Sequence, residues 1–244
     1  MLGARSSLEP NSPSPVGRQL WRDLLFVHQP VATGLLRPSV PSNLELDTFG
    51  GAAWVTVIPF AVFDSRPVGA PRALGMDFLE VNLRTYVRGP DGEQGIYFFS
   101  LEASSWLAVA GARVGYALPY FPAKMELRKE TPDGRIHYRS ERLVAGRGAG
   151  LQATWRSEGP VAQVSPGSLD HFLIERYVLF AARGRHLLRA RVRHQPYPVQ
   201  RAVLESWRES LSPRAGLPEL HTPAAVHFSP GVDVEIFWRH SLPR

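Results

Sequence analysis

Ten residues, Phe78 to Val87 (FLEVNLRTYV), constrain this chain more than any other stretch. Leu79, Val81, Leu83 and Val87 alternate with Glu80, Asn82, Arg84 and Tyr86, and Thr85 falls on the apolar side. Period-two alternation of this length, rich in β-branched and aromatic residues, specifies a strand. Its polar face carries a carboxylate, an amide, a guanidinium and a phenol in a row, about 7 Å apart, two strand rises each. Two readings of that row are open. It is the wet face of an antiparallel sheet, or the sheet curls and the row lines a hollow. The apolar neighbours Met76, Ile96, Phe98 and Phe99 favour the second. Inside a hollow, Glu80 and Arg84 need each other, other partners or a ligand, because burying an unpaired charge is prohibitively costly.

The rest of the chain repeats the strand signal. Asp23 to His28 reads as a strand ended by Pro30, and Val31 to Arg37 as a helical turn stopped by Pro38 and Pro41. Ala52 to Phe63 is a long buried strand in which Pro59 marks an edge or a bulge. The central strand turns at Gly89–Gly92 into Ile96–Leu101, and Tyr120–Lys129 turns at Thr131–Arg135 into Ile136–Arg142. Further strands are expected at Gln152–Trp155, Arg176–Ala182, Leu187–His194 and Val199–Trp207. Ala224–Phe228 and Val232–Trp238 are expected to form a last hairpin turning at Pro230-Gly231. Ser104 or Ser105 caps a helix over Trp106–Tyr116, whose Ala108, Ala110, Gly111, Ala112 and Gly115 would let it pack closely on a sheet. Gly167–Glu175 reads as a short helix or a loop. The fold class is therefore mainly β (α+β): a curled antiparallel sheet or cone-like β-barrel with a few helices. Residues 1–18, rich in Ser, Pro and Gly, read as a disordered leader before a single domain over 19–244.

Hydrophobic residues make up 44% of the 244, enough for a sizeable core. The absence of cysteine excludes disulfides, thiolate zinc sites and Cys nucleophiles. The N-terminus lacks an apolar signal segment, and Pro59, Arg113 and Pro119 interrupt the two most apolar windows. A soluble cytoplasmic protein with no membrane partner is the expectation. Net charge is +6, yet of 28 basic residues only Lys124 and Lys129 are lysine, a skew that reads as codon bias toward arginine. Arg189, Arg191 and Arg193 share a strand face, but Tyr197 is the only aromatic nearby to stack a base. No nucleic-acid partner is expected. His28-Gln29-Pro30 and His194-Gln195-Pro196 repeat a tripeptide without supplying a third or fourth ligand, so no metal is expected. Phosphate-binding, dinucleotide and GxSxG motifs are absent, and no cofactor is expected.

Several segments resemble the YqjF-like family of uncharacterised bacterial proteins. They are LELDTFGGAAWVTVIPF (44–60), EVNLRTYV (80–87), YFFSLEAS (97–104), LPYFPAKM (118–125), HYRSER (137–142), ERYVLF (175–180) and HFSPGVDV (227–234). That family is remotely similar in fold to acetoacetate decarboxylase, a β-rich cone around an apolar cavity. There the catalytic lysine follows a Gly-Phe-Pro-like segment and forms a Schiff base with a ketone. Tyr120-Phe121-Pro122-Ala123-Lys124 looks similar, but Ala123 stands where the nucleophilic lysine would be, and Lys124 matches its neighbour. The resemblance implies Lys124 and Glu80 as catalytic candidates. Arg84, Asn82, Tyr86 and Tyr120 are the candidate ligand-binding residues. Two functions follow from these readings. In the first, an internal pocket takes a small carboxylate or keto compound, with decarboxylase-like or lyase-like chemistry at Lys124 and Glu80. In the second, a non-catalytic binding or assembly protein, compatible with a homo-oligomer, keeps the fold without the Schiff-base chemistry.

Overall fold

Thirteen strands join one sheet in the computed structural model, which describes residues 13–131, 133–184, 186–221 and 223–242. They are β1 Gly17–Val31, β2 Glu45–Leu46, β3 Ala53–Pro67, β4 Met76–Arg88, β5 Gln94–Ala103, β6 Tyr120–Lys129 and β7 Ile136–Arg142, followed by β8 Gly150–Ala162, β9 Val178–Arg183, β10 His186–Arg193, β11 Val199–Glu209, β12 Ala225–Ile236 and β13 His240–Ser241. Among the described residues four α-helices interrupt them: α1 Thr33–Leu36, α2 Trp106–Tyr116, α3 Leu169–Ile174 and α4 Leu211–Arg214.

The ladder returns on itself. It runs β5-β6-β7-β8-β11-β12-β1-β3-β4, and β4 pairs with β5 again. A second circuit leaves β5 through β9 and β10 and rejoins at β12. The sheet is curled, as expected, but not wholly antiparallel: β5 pairs in parallel with both β6 and β9. Parallel neighbours need a long crossover, and α2 supplies it between β5 and β6.

β4 sits where the two circuits share strands, and from Glu80 to Val87 it is buried on both faces. Val81 and Leu83 pack in one core with Leu25, Val27, Val55, Val57 and Trp155. Tyr86, from the polar row, packs in the other with Phe26, Ile58, Phe60 and Leu101. Each of these large side chains contributes about 1.5–3 kcal/mol by leaving water.

Pro59 lies between two paired strands, and its missing N–H faces a gap. The β1–β3 register slips between Arg22/Ala61 and Val27/Val57, so residues 58–60 make no pairing on that side. Three expectations need correction. Pro230-Gly231 is no hairpin turn; β12 runs straight through it and pairs with β1 on either side. Gly231 is there because a Cβ would meet the Trp21 carbonyl at 2.1 Å, and its φ is +134°. The small residues of α2 pack on the sheet only in part: Ala108 lies against the core, Ala110 and Gly111 face outward, and Val109 is the buried position. Ser105 does cap this helix, accepting from the Ala108 N–H at 3.3 Å. Finally, most of the expected leader, residues 1–12, lies outside the described residues, whereas Gly17 and Arg18 already pair with Ile236 and Glu235 in β1–β12.

Candidate functional site

The β3–β4 register places Phe60 beside Glu80, Ile58 beside Asn82 and Thr56 beside Arg84. The polar row is thus set into an aromatic and aliphatic surround. On its other side the β4–β5 ladder slips between Leu83↔Ser100 and Arg84↔Phe98. A bulge of this kind re-aims the side chains next to it. Glu80, Asn82, Arg84 and Tyr86 are all buried.

Arg84 is held by a carbonyl. Ser168 caps α3, accepting from the His171 N–H at 3.1 Å, and the far end of this helix points back at β4. The Leu173 carbonyl accepts from Arg84 Nη2 at 3.0 Å and from the Tyr86 hydroxyl at 2.7 Å. Arg84 Nε is buried without a partner, and no carboxylate among the described residues pairs with this guanidinium. Nearby cations are treated differently. Arg176 donates to the Phe172 carbonyl at 2.9 Å and also pairs with Asp47 at 3.0 Å. Asp47 holds Arg88 as well, at 2.8 Å. Asn82 Oδ1 is the second buried polar atom in the row with no partner.

Asn82 and Arg84 line a cavity of about 40 Å³, walled by Trp21, Phe60, Phe98, Tyr177 and Tyr197. Burial pushes the Tyr197 hydroxyl above its ordinary pKa, and the Arg84 charge opposes that shift. Of the sequence candidates, then, Asn82 and Arg84 share the cavity. Tyr86 stands behind it: its hydroxyl donates to the Leu173 carbonyl and also meets Thr56 Oγ1 at 2.6 Å, which leaves it no hydrogen to donate to a ligand.

Glu80 lies at the far end of the row, outside the cavity lining. Tyr120 donates to its Oε2 at 2.9 Å, and Tyr138 donates to its backbone carbonyl at 2.9 Å and to that of Phe60 at 3.1 Å. Burial pushes the Glu80 carboxyl up to about 8; the Tyr120 hydrogen bond pulls it back and the charge of Glu102 raises it further. At neutral pH Glu80 is mostly protonated, so Tyr120 faces an acid and not an anion. The two do not form an ion pair with Arg84.

Lys124 is not brought to this group. It is exposed, opposite Glu141 on β7, in line with exposed Glu126 and Arg128. Ala123, directly after Pro122, takes the buried position at this point of β6. The other lysine, Lys129, is also exposed and pairs with Asp23 at 2.7 Å. An amine able to attack a ketone inside the fold is absent among the described residues.

Sequence reasoning missed Arg176, Tyr177 and Tyr197, which reach the cavity from about 90 to 115 residues downstream. It also missed the buried Glu102–Arg142 ion pair, with the guanidinium 3.8 Å over the Phe121 ring. Glu102, a lone charge at the end of an apolar strand, was its available signal. No three or more His, Cys, Asp or Glu side chains among the described residues are grouped to hold a metal. His28 instead meets Thr56 Oγ1 at 2.9 Å, and His194 Nδ1 lies 2.7 Å from the Gln195 carbonyl. No helix of the described residues is long and apolar enough to cross a membrane.

A closed β ladder with a small interior cavity and a buried polar row defines an acetoacetate decarboxylase-like fold. The chain is similar to acetoacetate decarboxylase from Legionella pneumophila, with a TM-score of 0.64 at 16% identity over 98% of each chain. It is similar as well to the enduracididine biosynthesis enzyme MppR complexed with pyruvate, with a TM-score of 0.64 at 16% identity over 96% of this chain and 93% of that one. Within this fold, the chain belongs to the DUF2071 family, described as an uncharacterized conserved protein, whose pattern matches residues 18–233. It is 38% identical over 222 residues to the protein YqjF of Bacillus subtilis (strain 168), covering 91% of this chain and 90% of that relative.

Proposed function

We propose that the protein binds a small organic carboxylate in the cavity at Arg84. One observation carries this reading: a buried guanidinium that lines a cavity, spends one hydrogen bond on a carbonyl and has no carboxylate partner among the described residues. A buried ion without a counter-ion is several kcal/mol worse than a paired one. A ligand carboxylate removes that deficit with charged hydrogen bonds to the remaining guanidinium donors. The Asn82 amide oxygen, also without a partner, would orient only a ligand that carries a donor such as a hydroxyl or ammonium group. On a scale where one water takes roughly 10–15 Å³, the cavity admits an acetate-sized group, and a keto acid such as pyruvate needs the aromatic walls to yield slightly. MppR, whose fold this chain shares, is described with pyruvate bound.

Glu80 is the group that would give or take a proton if the bound molecule reacts. Its role depends on the cavity opening one strand position further along β4. Lys124 has no part in this proposal, so any chemistry proceeds without a Schiff base. The non-catalytic reading, a carboxylate-binding protein that keeps the fold, is favoured by the placement of Glu80 outside the cavity lining.

The test is calorimetric titration of acetate and pyruvate into the wild-type protein and Arg84→Met. Binding to the wild type that falls at least tenfold in Arg84→Met is the expected result. Equal affinity in the two proteins, or no binding of either acid to the wild type, refutes the proposal.

A further inference from the structure

Behind Arg84, away from the cavity, a hydrogen-bonded chain ends in two histidines that the carboxylate reading does not use. Tyr86 donates to the Leu173 carbonyl, so the Thr56 hydroxyl must be the donor in its 2.6 Å bond to Tyr86. Thr56 then has only a lone pair left for His28 Nδ1 at 2.9 Å, and that nitrogen must carry the hydrogen. His227 Nε2 lies 3.2 Å from an Asp170 carboxylate oxygen and carries its hydrogen for the same reason. What remains is His28 Nε2 and His227 Nδ1, both buried, both acceptors when neutral, and both without a partner. The two rings lie with centroids 5.3 Å apart. Two lone pairs cannot satisfy each other. One added proton makes one of them a donor beside the other's lone pair.

We propose that His28 and His227 form a buried proton-binding site that fills when a carboxylate occupies Arg84, so that the ligand enters together with a proton. The ligand half of this inference rests on the reading of Arg84 given above. The proton comes from solvent and settles on His28 Nε2 or His227 Nδ1, the two nitrogens that carry none. It forms one N–H bond, and the ligand stays an anion.

The charges facing the pair set the sign. On the His28 side stand Arg84 from β4 and the neutral hydroxyls of Thr56 and Tyr86; on the His227 side stand Asp170 from α3 and Arg201 from β11. Burial, His227 and then the Arg84 charge hold His28 well below the ordinary histidine range. His227 is lowered by burial and Arg201, against the pull of Asp170. A carboxylate on Arg84 offsets one of these positive charges, so the affinity of the pair for a proton rises. Linkage is reciprocal: a ligand that promotes proton uptake must itself bind more tightly as pH falls. The effect approaches tenfold per pH unit between the ligand-free and ligand-bound titrations.

Two measurements test this. Calorimetry of pyruvate binding at pH 6.0, run in MES and in phosphate, reads the number of protons taken up. Net proton uptake is expected for the wild type and uptake near zero for His227→Gln and for His28→Gln. Binding without uptake, or uptake unchanged in both variants, overturns the proposal. Independently, the imidazole titration of His28 is followed by NMR in the ligand-free wild type and in Arg84→Met, where it is expected to move to higher pH. An unmoved titration overturns the proton site whether or not pyruvate binds. A moved titration with no pyruvate binding supports the proton site and removes only the carboxylate reading.

Discussion

Replacing Glu80 with glutamine should stabilise the protein in alkali and leave it unchanged in acid. The carboxyl is 5% exposed and sits at about 8, against 4.5 for a free glutamic acid. The folded protein therefore holds a proton that the unfolded chain gives up as pH rises through 4.5. Across that window the unfolded state binds fewer protons, so the wild type loses stability with rising pH until Glu80 itself ionises near 8. At about 1.36 kcal/mol per pH unit, the loss reaches ~3 kcal/mol at pH 7 and ~4–5 kcal/mol above pH 8. Glutamine is neutral throughout and keeps an acceptor for the Tyr120 hydroxyl. Urea unfolding of wild type and Glu80→Gln at pH 5 and pH 8.5 checks the figure. Other titrating groups, Glu102 among them, are present in both proteins and largely cancel in the difference. The expected gap is under ~1 kcal/mol at pH 5 and ~3–5 kcal/mol at pH 8.5. Parallel pH profiles would mean that Glu80 is solvated or counter-charged, and that burial does not govern its ionisation.

Lys124→Gln should change stability by no more than ~0.5 kcal/mol, as for other exposed positions, and leave pyruvate affinity as it was; a borohydride-trapped pyruvate adduct on Lys124 would refute its placement. Glu102→Gln leaves the Arg142 guanidinium buried and unpaired, and chemical denaturation should show a loss of ~3–5 kcal/mol. The double variant Glu102→Gln/Arg142→Met should recover part of that loss, and a simple sum of the two single effects would count against the pairing. Gly231→Ala places a methyl 2.1 Å from the Trp21 carbonyl at a φ of +134°, so a drop of ~2 kcal/mol or more is expected, beyond the usual ~0.4–1 kcal/mol scale of glycine-to-alanine effects. A melting temperature within a degree of wild type would contradict the close approach of β1 and β12.

Much of the fold is written locally. The alternation in β4, the Gly89–Gly92 turn and the Ser105 cap are each decided by neighbours in sequence, and each reads correctly without the rest of the chain. Pro230-Gly231 misleads because a turn and a close approach of two paired strands both call for glycine. Only the contact with the Trp21 carbonyl, more than 200 positions away, distinguishes them. The glycines of α2 mislead in another way: small residues permit close packing but do not require it, and here Gly111 has nothing within 4 Å. At the site, alternation separated the polar from the apolar face of β4 but could not say that both are buried. That follows from closure of the ladder, which depends on pairings between strands far apart in sequence. The Leu173 carbonyl that anchors Arg84 leaves no trace in side-chain pattern at all, because any residue at position 173 would offer it.

A row containing both a carboxylate and a guanidinium invites the simplest explanation, a structural Glu–Arg pair buried for its own sake. The geometry separates the two members. Glu80 stays neutral at physiological pH against Tyr120, while Arg84 leans on a carbonyl and keeps donors unspent. Elsewhere in the interior the chain does pair its cations, Arg142 with Glu102 and Arg176 with Asp47. Among the described residues, the missing counter-charge is therefore particular to Arg84, the buried arginine beside Asn82. A structural ion pair would have closed the row at Glu80; an open guanidinium facing a cavity is the arrangement that an incoming anion completes.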